Sequence, residues 1–271
     1  MLRTLRRVKQ LTYLLVSPEF RSPGRLGGHS LRRYDSEAEV THYRATAADG
    51  LRYEEAGALR DFLVAQGPTR QAARARALVV GAGCGREAFA LAQHGLEVTG
   101  IDQSPAMIAA ARELSEAVPA VDGATQARVT FNVSTLERFA APGRFELVFV
   151  STAIAEHIYS SAGRRAFYER ARELVARHGR IFVFPAIQKL EPRSAYFWAS
   201  QILRVRWAAA GLDWEQGDSA RAFYGKHNRD FRPVFYHFYP DREAFEREIA
   251  QAGLEVALHF EGAFLLRPVN E

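Results

Sequence analysis

From Ala77 onward the apolar positions alternate between two spacings. A continuous apolar run at 77–81 reads as a buried strand, and helical spacing over 86–94 follows, closed by Gly95. The same alternation predicts strand 96–101, helix 105–117, strand 128–133, a short helix or loop to 143, strand 145–151, helix 161–177 closed by His178-Gly179, and strand 180–185. Strands alternating with helices of this length imply right-handed crossovers and a parallel sheet with helices on both faces. Downstream, 194–210 reads helical, and 212–240 is aromatic and basic with no clean period. Residues 241–252 form a helix closed by Gly253, and strands 254–260 and 263–267 meet at Glu261-Gly262 as a hairpin. Upstream, Leu2, Leu5, Val8, Leu11 and Leu15 give 2–16 an amphipathic helix, which "SPEFRSPGRLGGHS" interrupts. A helical pattern then runs from Ser36 to Gln66 and ends at Gly67-Pro68. The expected fold class is α/β: a doubly wound, mostly parallel, seven-stranded sheet with a C-terminal antiparallel hairpin, a helical N-terminal arm and an insertion after the fifth strand. Residues 1–35 read as the arm or lid and 36–271 as one domain, with the insertion at about 186–236.

Charge sharpens that division. The chain of 271 residues is 48% hydrophobic and 25% charged, an ordinary globular balance with ample core. Its formal charge of +5 is uneven. Residues 1–33 hold eight basic side chains against Glu19, a net of +7, which leaves −2 for the rest. A basic nucleic-acid face on the globular part is therefore not expected. The arm reads as a surface helix or lid packing on the domain; the sharper reading is a basic helix touching anionic lipid or an acidic substrate. No apolar run approaches the ~20 residues of a membrane span, so no stable membrane insertion is expected. One cysteine, Cys84, excludes an internal disulfide framework and any multi-cysteine metal site. The histidines show no metal-ligand spacing either, so no metal is expected. "LTYLLV" is too short for a secretory core, although an Arg-rich arm also fits a transit peptide. A cytoplasmic monomer or homodimer is the expectation.

The chemistry starts at "ALVVGAGCGREAF", Ala77 to Phe89, a strand running into three alternating glycines and a helix start. Such glycines permit positive φ and let backbone approach a ligand. Two registers fit: Gly81, Gly83 and Gly85 as G-x-G-x-G, typical of S-adenosylmethionine (SAM) sites, or Gly83, Gly85 and Ala88 as G-x-G-x-x-A, typical of dinucleotide sites. Asp102 stands at the end of the next strand. A carboxylate there can accept hydrogen bonds from two ribose hydroxyls. The alternative is a cap on the following helix beside Ser104 and Pro105, but its place after the second strand favours the ligand role.

"VVGAGCGREAFALAQHGLEVTGIDQSPAMIAAAR" resembles motifs I and II of the class I SAM-dependent methyltransferases. The resemblance continues through "ARVTFNVSTLERF", "RFELVFVSTAIAEHI" and "GRIFVFPA" to "YPDREAFEREIAQAGLEV". It implies a Rossmann-like sheet with SAM as cofactor and methyl transfer to an oxygen or nitrogen of a small-molecule acceptor. By that resemblance Gly81, Ala82, Gly83 and Gly85 pass beneath the methionine and sugar, and Asp102 holds the ribose. Gln103 and Met107 flank the adenine, and Thr135 and Leu136 meet its edge. Ser151 and Thr152 line the methionine or acceptor side. Two positions depart from the family: Val79 stands where an acid is frequent, and Thr135 where Asp is frequent. Cys84 reads as a small residue in a crowded turn.

Methyl transfer from a sulfonium is an in-line displacement, so positioning does much of the work and a base is needed only when the acceptor must lose a proton. His157, six residues past Ser151, is the first candidate base, with local packing as its alternative role; His227 and His237 are rivals, and His237 is kept as the second candidate. In "FYGKHNRDFRPVFYHFYP", Tyr224, His227, Arg229, Arg232 and Tyr236 are candidate acceptor-binding residues, or else part of a seam against the sheet. Other readings are an NAD(P)-dependent oxidoreductase, a SAM-binding protein without methyl transfer, and a nucleic-acid methyltransferase. The last is disfavoured by "STAIAEH" where amino-methylating enzymes carry [DNS]-P-P-[YFW].

Overall fold

The computed structural model describes residues 12, 21–22, 25, 31–71, 75–117, 129–188, 195–224 and 231–269, with backbone only at 66–71, 117, 195–196, 220–224 and 231–233. Helices α1 (Glu37–Ala45) and α2 (Tyr53–Gln71) lead into β1 (Arg76–Val80), α3 (Arg86–Gln93), β2 (Glu97–Asp102), α4 (Pro105–Ala117), β3 (Val129–Val133) and β4 (Phe145–Val150). A 3-10 turn, Ala155–His157, precedes α5 (Ser161–Leu174), β5 (Val175–Val183), α6 (Ala195–Ala209), β6 (Asp218–Tyr224), β7 (Phe231–His237), α7 (Arg242–Gln251), β8 (Leu254–Phe260) and β9 (Ala263–Pro268).

Seven strands form one sheet in the order β3-β2-β1-β4-β5-β9-β8. The first five are parallel; β9 runs antiparallel between β5 and β8. The expected closing hairpin thus inserts its second strand beside β5. Alternation along each strand builds two cores. Leu78, Val80, Val148, Val150, Ile181 and Val183 face α5 and α7, where Phe167, Tyr168 and Phe245 pack. Ala77, Val79, Leu147, Phe149 and Phe182 face α2, α3 and α4, through Phe62, Leu91 and Ile108. Burial on both faces is why β1 and β4 read as unbroken apolar runs. Val79 is fully buried in the second core, so an acid there would sit in an apolar layer.

Three expectations change. The helical stretch 36–66 is two helices, parted around Gly50 (φ +73°), and α2 runs past Gly67-Pro68 to Gln71. Pro68 has no N–H to donate, so that turn lacks one backbone bond, yet the helix continues to Gln71. Second, α5 ends at Leu174 and β5 begins at Val175, so His178-Gly179 lies within a strand and closes no helix. An early bulge between Phe145 and Leu147 lets β5 pair there. A Cβ at Gly179 would meet the carbonyl oxygen of Glu146 at 2.8 Å, a backbone approach that explains the glycine. Third, the aromatic stretch holds a hairpin: β6 and β7 pair antiparallel from Asp218↔His237 to Tyr224↔Phe231. The helix expected at 2–16 lies outside the described residues apart from Thr12.

Candidate functional site

Strand order reverses beside β1, whose neighbours are β2 and β4. Loops leaving the carboxyl ends of neighbouring strands diverge there and leave a crevice. A cavity of about 740 Å³ opens at that edge. Its floor is the loop between β1 and α3. Gly81 (φ +75°) lies so close to Ile154 that a Cβ would stand 2.4 Å from its Cδ1. Gly85 (φ +97°) is pressed by Phe89 and Phe131, at 2.7 and 2.9 Å from a hypothetical Cβ. Gly83 has nothing within 4 Å of that position, and its open side belongs to the cavity. Gly81, Ala82 and Gly83 line the cavity; Gly85 supports the turn from beneath.

Asp102 ends β2 and lines the cavity. Its Oδ2 accepts from the Gly83 N–H and its Oδ1 from the Ser104 N–H, each at 2.9 Å. Burial pushes its pKa up, and the bonds from Ser104, Gly83 and Gln103 oppose that shift. The carboxylate therefore ties the glycine loop to the start of α4. Capping of α4 falls to other groups: Ser104 Oγ accepts from the Met107 N–H at 3.2 Å, and Asp35 Oδ1 accepts from Ser104 Oγ at 2.8 Å and the Ala106 N–H at 3.0 Å. Gln103, Met107, Thr135 and Leu136 all line the cavity as well. Met107 Sδ lies 3.5 Å from Cys84 Sγ. Burial, with Asp102 nearby, pushes the Cys84 thiol up to about 11, so it is no nucleophile at neutral pH.

After β4, Ser151 and Thr152 reach the cavity wall. The buried Ser151 Oγ has no partner among the described residues; Thr152 Oγ1 accepts from Arg52 Nη1 at 3.3 Å. Ala153 takes a left-handed φ of +70°, a strained turn that sends the chain back towards His157. His157 Nδ1 sits 2.7 Å from the Phe235 carbonyl oxygen on β7. A carbonyl only accepts, so Nδ1 carries the hydrogen and Nε2 keeps a bare lone pair. Nε2 is shielded from solvent and has no partner among the described residues, while part of the ring lines the cavity. Burial lowers the His157 pKa to about 4; the Phe235 bond opposes this and Arg33 adds to it.

Other predicted residues fall elsewhere. Tyr236 does not line the cavity; its ring backs His157 at 4.5 Å between centroids. His237, one position on, faces the opposite side of β7, as neighbouring strand residues do. It is 4% exposed, away from the cavity, with Nδ1 2.8 Å from Asp218 Oδ1. Glu215, Asp218 and His237 bring ligand-type atoms within 4.8 Å of one another. Those carboxylates are engaged already: Asp218 holds His237 and the Glu215 N–H, while Glu215 accepts from the Ser161 N–H and Arg164. The cluster fastens the β6–β7 hairpin to α5. Tyr224 and Arg232 lie on that hairpin, where only backbone is described; His227 and Arg229 lie outside the described residues.

Sequence reasoning missed the roof. Tyr34, His42, Tyr43 and Thr46, from the end of the arm and α1, line the cavity, with Tyr34 and Tyr43 rings 6.2 Å apart. It also missed the fork by which Arg86 grips Glu55, Nη1–Oε2 2.8 Å and Nη2–Oε1 2.9 Å, locking α2 against the glycine loop. Glu55 and Arg86 are thirty-one residues apart, and no local pattern joins them. The polar spacing in "RRYDSEAEVTHY" was the available signal for the roof, since α1 buries no residue in the core.

Residues 77–179 match a family model described as a methyltransferase domain. No curated protein sequence matches the chain significantly. Among solved structures, a complex titled "DhpI-SAM-HEP" is 19% identical, with 90% of this chain and 98% of that one covered and a TM-score of 0.55. The CcbJ methyltransferase from Streptomyces caelestis is 19% identical over 77% and 87%, TM-score 0.53. CalS10, an amino pentose methyltransferase from Micromonospora echinaspora, is 20% identical over 83% and 95%, TM-score 0.51. The sheet order, the glycine loop and the comparisons agree: residues 77–179 are similar to a methyltransferase domain, and the chain has the fold of the class I SAM-dependent methyltransferases.

Proposed function

We propose that this chain binds SAM across the Gly81–Gly85 loop and transfers its methyl group to an oxygen or nitrogen of a small-molecule acceptor. The observation that carries the reading is Asp102: a carboxylate at the carboxyl end of β2, fixed by two loop N–H groups and facing the cavity at the switch point. The donors and acceptors present fit the group. Asp102 accepts from the ribose hydroxyls, Gln103 and Met107 flank the adenine, and Thr135 and Leu136 meet its edge. The open face of Gly83 and the unpartnered Ser151 Oγ suit the methionine portion.

Bound SAM supplies an electrophilic methyl group on its sulfonium. The chain's own residues orient the acceptor and keep water out. Ile154, Ile158, Tyr159, Phe167 and Phe235 give the far half of the cavity an apolar wall, and Tyr34 and Tyr43 roof it. His157 holds its Nδ1–H on Phe235 and lines the cavity with part of its ring; Nε2, shielded from solvent here, becomes the acceptor for a hydrogen of the attacking atom once the side chains over it move aside. With a pKa near 4 the ring is almost wholly neutral at pH 7. It accepts a hydrogen bond in the ground state and takes the proton only as the acceptor atom loses it. In this reading residues 1–35 act as a lid whose last turn, through Asp35, latches onto α4, and about 186–236 forms the acceptor-side insertion.

Methyl transfer from radiolabelled SAM to a panel of alcohols, phenols, amines and carboxylates tests the reading. Transfer to one class that Asp102→Ala abolishes supports it. Tight SAM binding with no transfer across the panel favours the binding-protein reading, and NAD(P) binding with indifference to SAM favours the oxidoreductase.

A further inference from the structure

Helix α6 has two apolar faces. On one, Ala199, Leu203 and Trp207 are buried. Trp207 packs on Tyr159 at 5.3 Å and on Trp214 at 5.0 Å, and Tyr159 lines the cavity. On the other, Trp198, Ile202 and Val205 are 60%, 51% and 71% exposed. Their spacing of four and then three places them in one stripe along the helix. At about 100° per residue, Arg206 lies beside that stripe, about 70° from its centre, and the exposed Arg204 lies about 125° round on the other side. The helix sequence, AYFWASQILRVRWAA, contains no acidic residue.

We infer that the outer face of α6 docks on an anionic bilayer surface, with Trp198, Ile202 and Val205 entering the interface and Arg204 and Arg206 reaching the headgroups. Charge selects this occupant. An apolar face flanked by arginines and free of acids is the pattern of a helix lying in the headgroup region. The arm repeats it in sequence, with five apolar residues at helical spacing and a net +7 over residues 1–33, while the remainder of the chain is slightly acidic. Helix α6 adjoins the cavity through Trp207 and Tyr159. Size argues against a second copy. Three such side chains expose roughly 300–400 Å², less than half of the ~800 Å² each partner contributes to a stable dimer. Among the described residues no helix is long and apolar enough to cross a membrane, so the contact is superficial. The inference does not depend on which cofactor the cavity holds.

Flotation of the full chain with vesicles tests it. Phosphatidylcholine vesicles containing phosphatidylglycerol should capture the chain, pure phosphatidylcholine vesicles should capture far less, and added salt should release it. The triple variant Trp198→Glu, Ile202→Glu, Val205→Glu should lower capture at least ~10-fold with its melting temperature kept. If that variant does not fold, Val205→Glu alone, at the most exposed position, should lower capture several-fold. No capture by anionic vesicles, or equal capture of folded variant and wild type, overturns the inference. So does light scattering that shows a wild-type dimer which the variant converts to monomer, since that result assigns the face to a second copy.

Discussion

His157 gives a prediction whose size follows from its surroundings. Burial keeps the ring neutral against the opposing pull of the Phe235 bond, with a pKa near 4 against an ordinary value of 6.5. Because the folded value is depressed, the stability this ring contributes is present above pH 6.5 and is lost as pH falls towards 4. At pH 4.5 an unfolded chain has protonated this histidine almost fully, whereas most folded molecules have not. Linkage then costs the fold about 2.5 kcal/mol between pH 7.5 and 4.5. His157→Asn removes the titration but keeps an amide N–H where Nδ1 stood, able to donate to Phe235. Urea unfolding of both proteins at both pH values isolates the effect, since every other titrating group cancels in the double difference. Wild type should lose about 2.5 kcal/mol more than the variant. Equal losses, within about 0.5 kcal/mol, would mean that the ring titrates normally and that Nε2 is not shielded from solvent in the folded chain.

Three further outcomes follow from the same geometry. Asp102→Asn should weaken SAM binding about 100-fold, since two charge-assisted bonds of ~1.5–3 kcal/mol each are downgraded; a dissociation constant within about threefold of wild type refutes the ribose role. Gly81→Ala combines a φ of +75° with a Cβ 2.4 Å from Ile154 and should cost about 2 kcal/mol, read as a melting temperature lower by roughly 4–8 °C; no shift would mean the loop relaxes freely. Arg164 is 1% exposed and holds Glu248 through Nε–Oε1 at 2.8 Å and Nη2–Oε2 at 2.9 Å, and Glu215 through Nη2–Oε2 at 2.7 Å. Arg164→Leu strands those carboxylates and should destabilise by about 3–5 kcal/mol in urea unfolding, with a loss under about 1 kcal/mol counting against the network.

What the sequence made legible was local. Unbroken apolar strands, the glycine turn, an acid at the end of the second strand and the Glu261-Gly262 hairpin each sit within a short window, and their periods differ enough to separate strand from helix. The β6–β7 hairpin was hidden because Pro233, a residue that reads as a strand breaker, stands inside β7 and the aromatic residues alternate poorly. Choosing between His157 and His237 depended on which face of β7 each one meets, a matter of tertiary pairing. The roof was equally invisible: Tyr34 and Tyr43 earn their place through Asp35, whose carboxylate reaches Ser104 and Ala106 some seventy residues away. The early start of β5 depends on a bulge in its neighbour, which no pattern in β5 itself announces.

The central claim is that the Gly81–Gly85 loop and Asp102 form a SAM site. Isothermal titration of the purified chain with SAM, and in parallel with NAD and NADP, tests it most directly. The account predicts saturable binding of one SAM per chain with a dissociation constant at or below about 100 µM, and no heat from either dinucleotide. Binding of a dinucleotide with no response to SAM would contradict it.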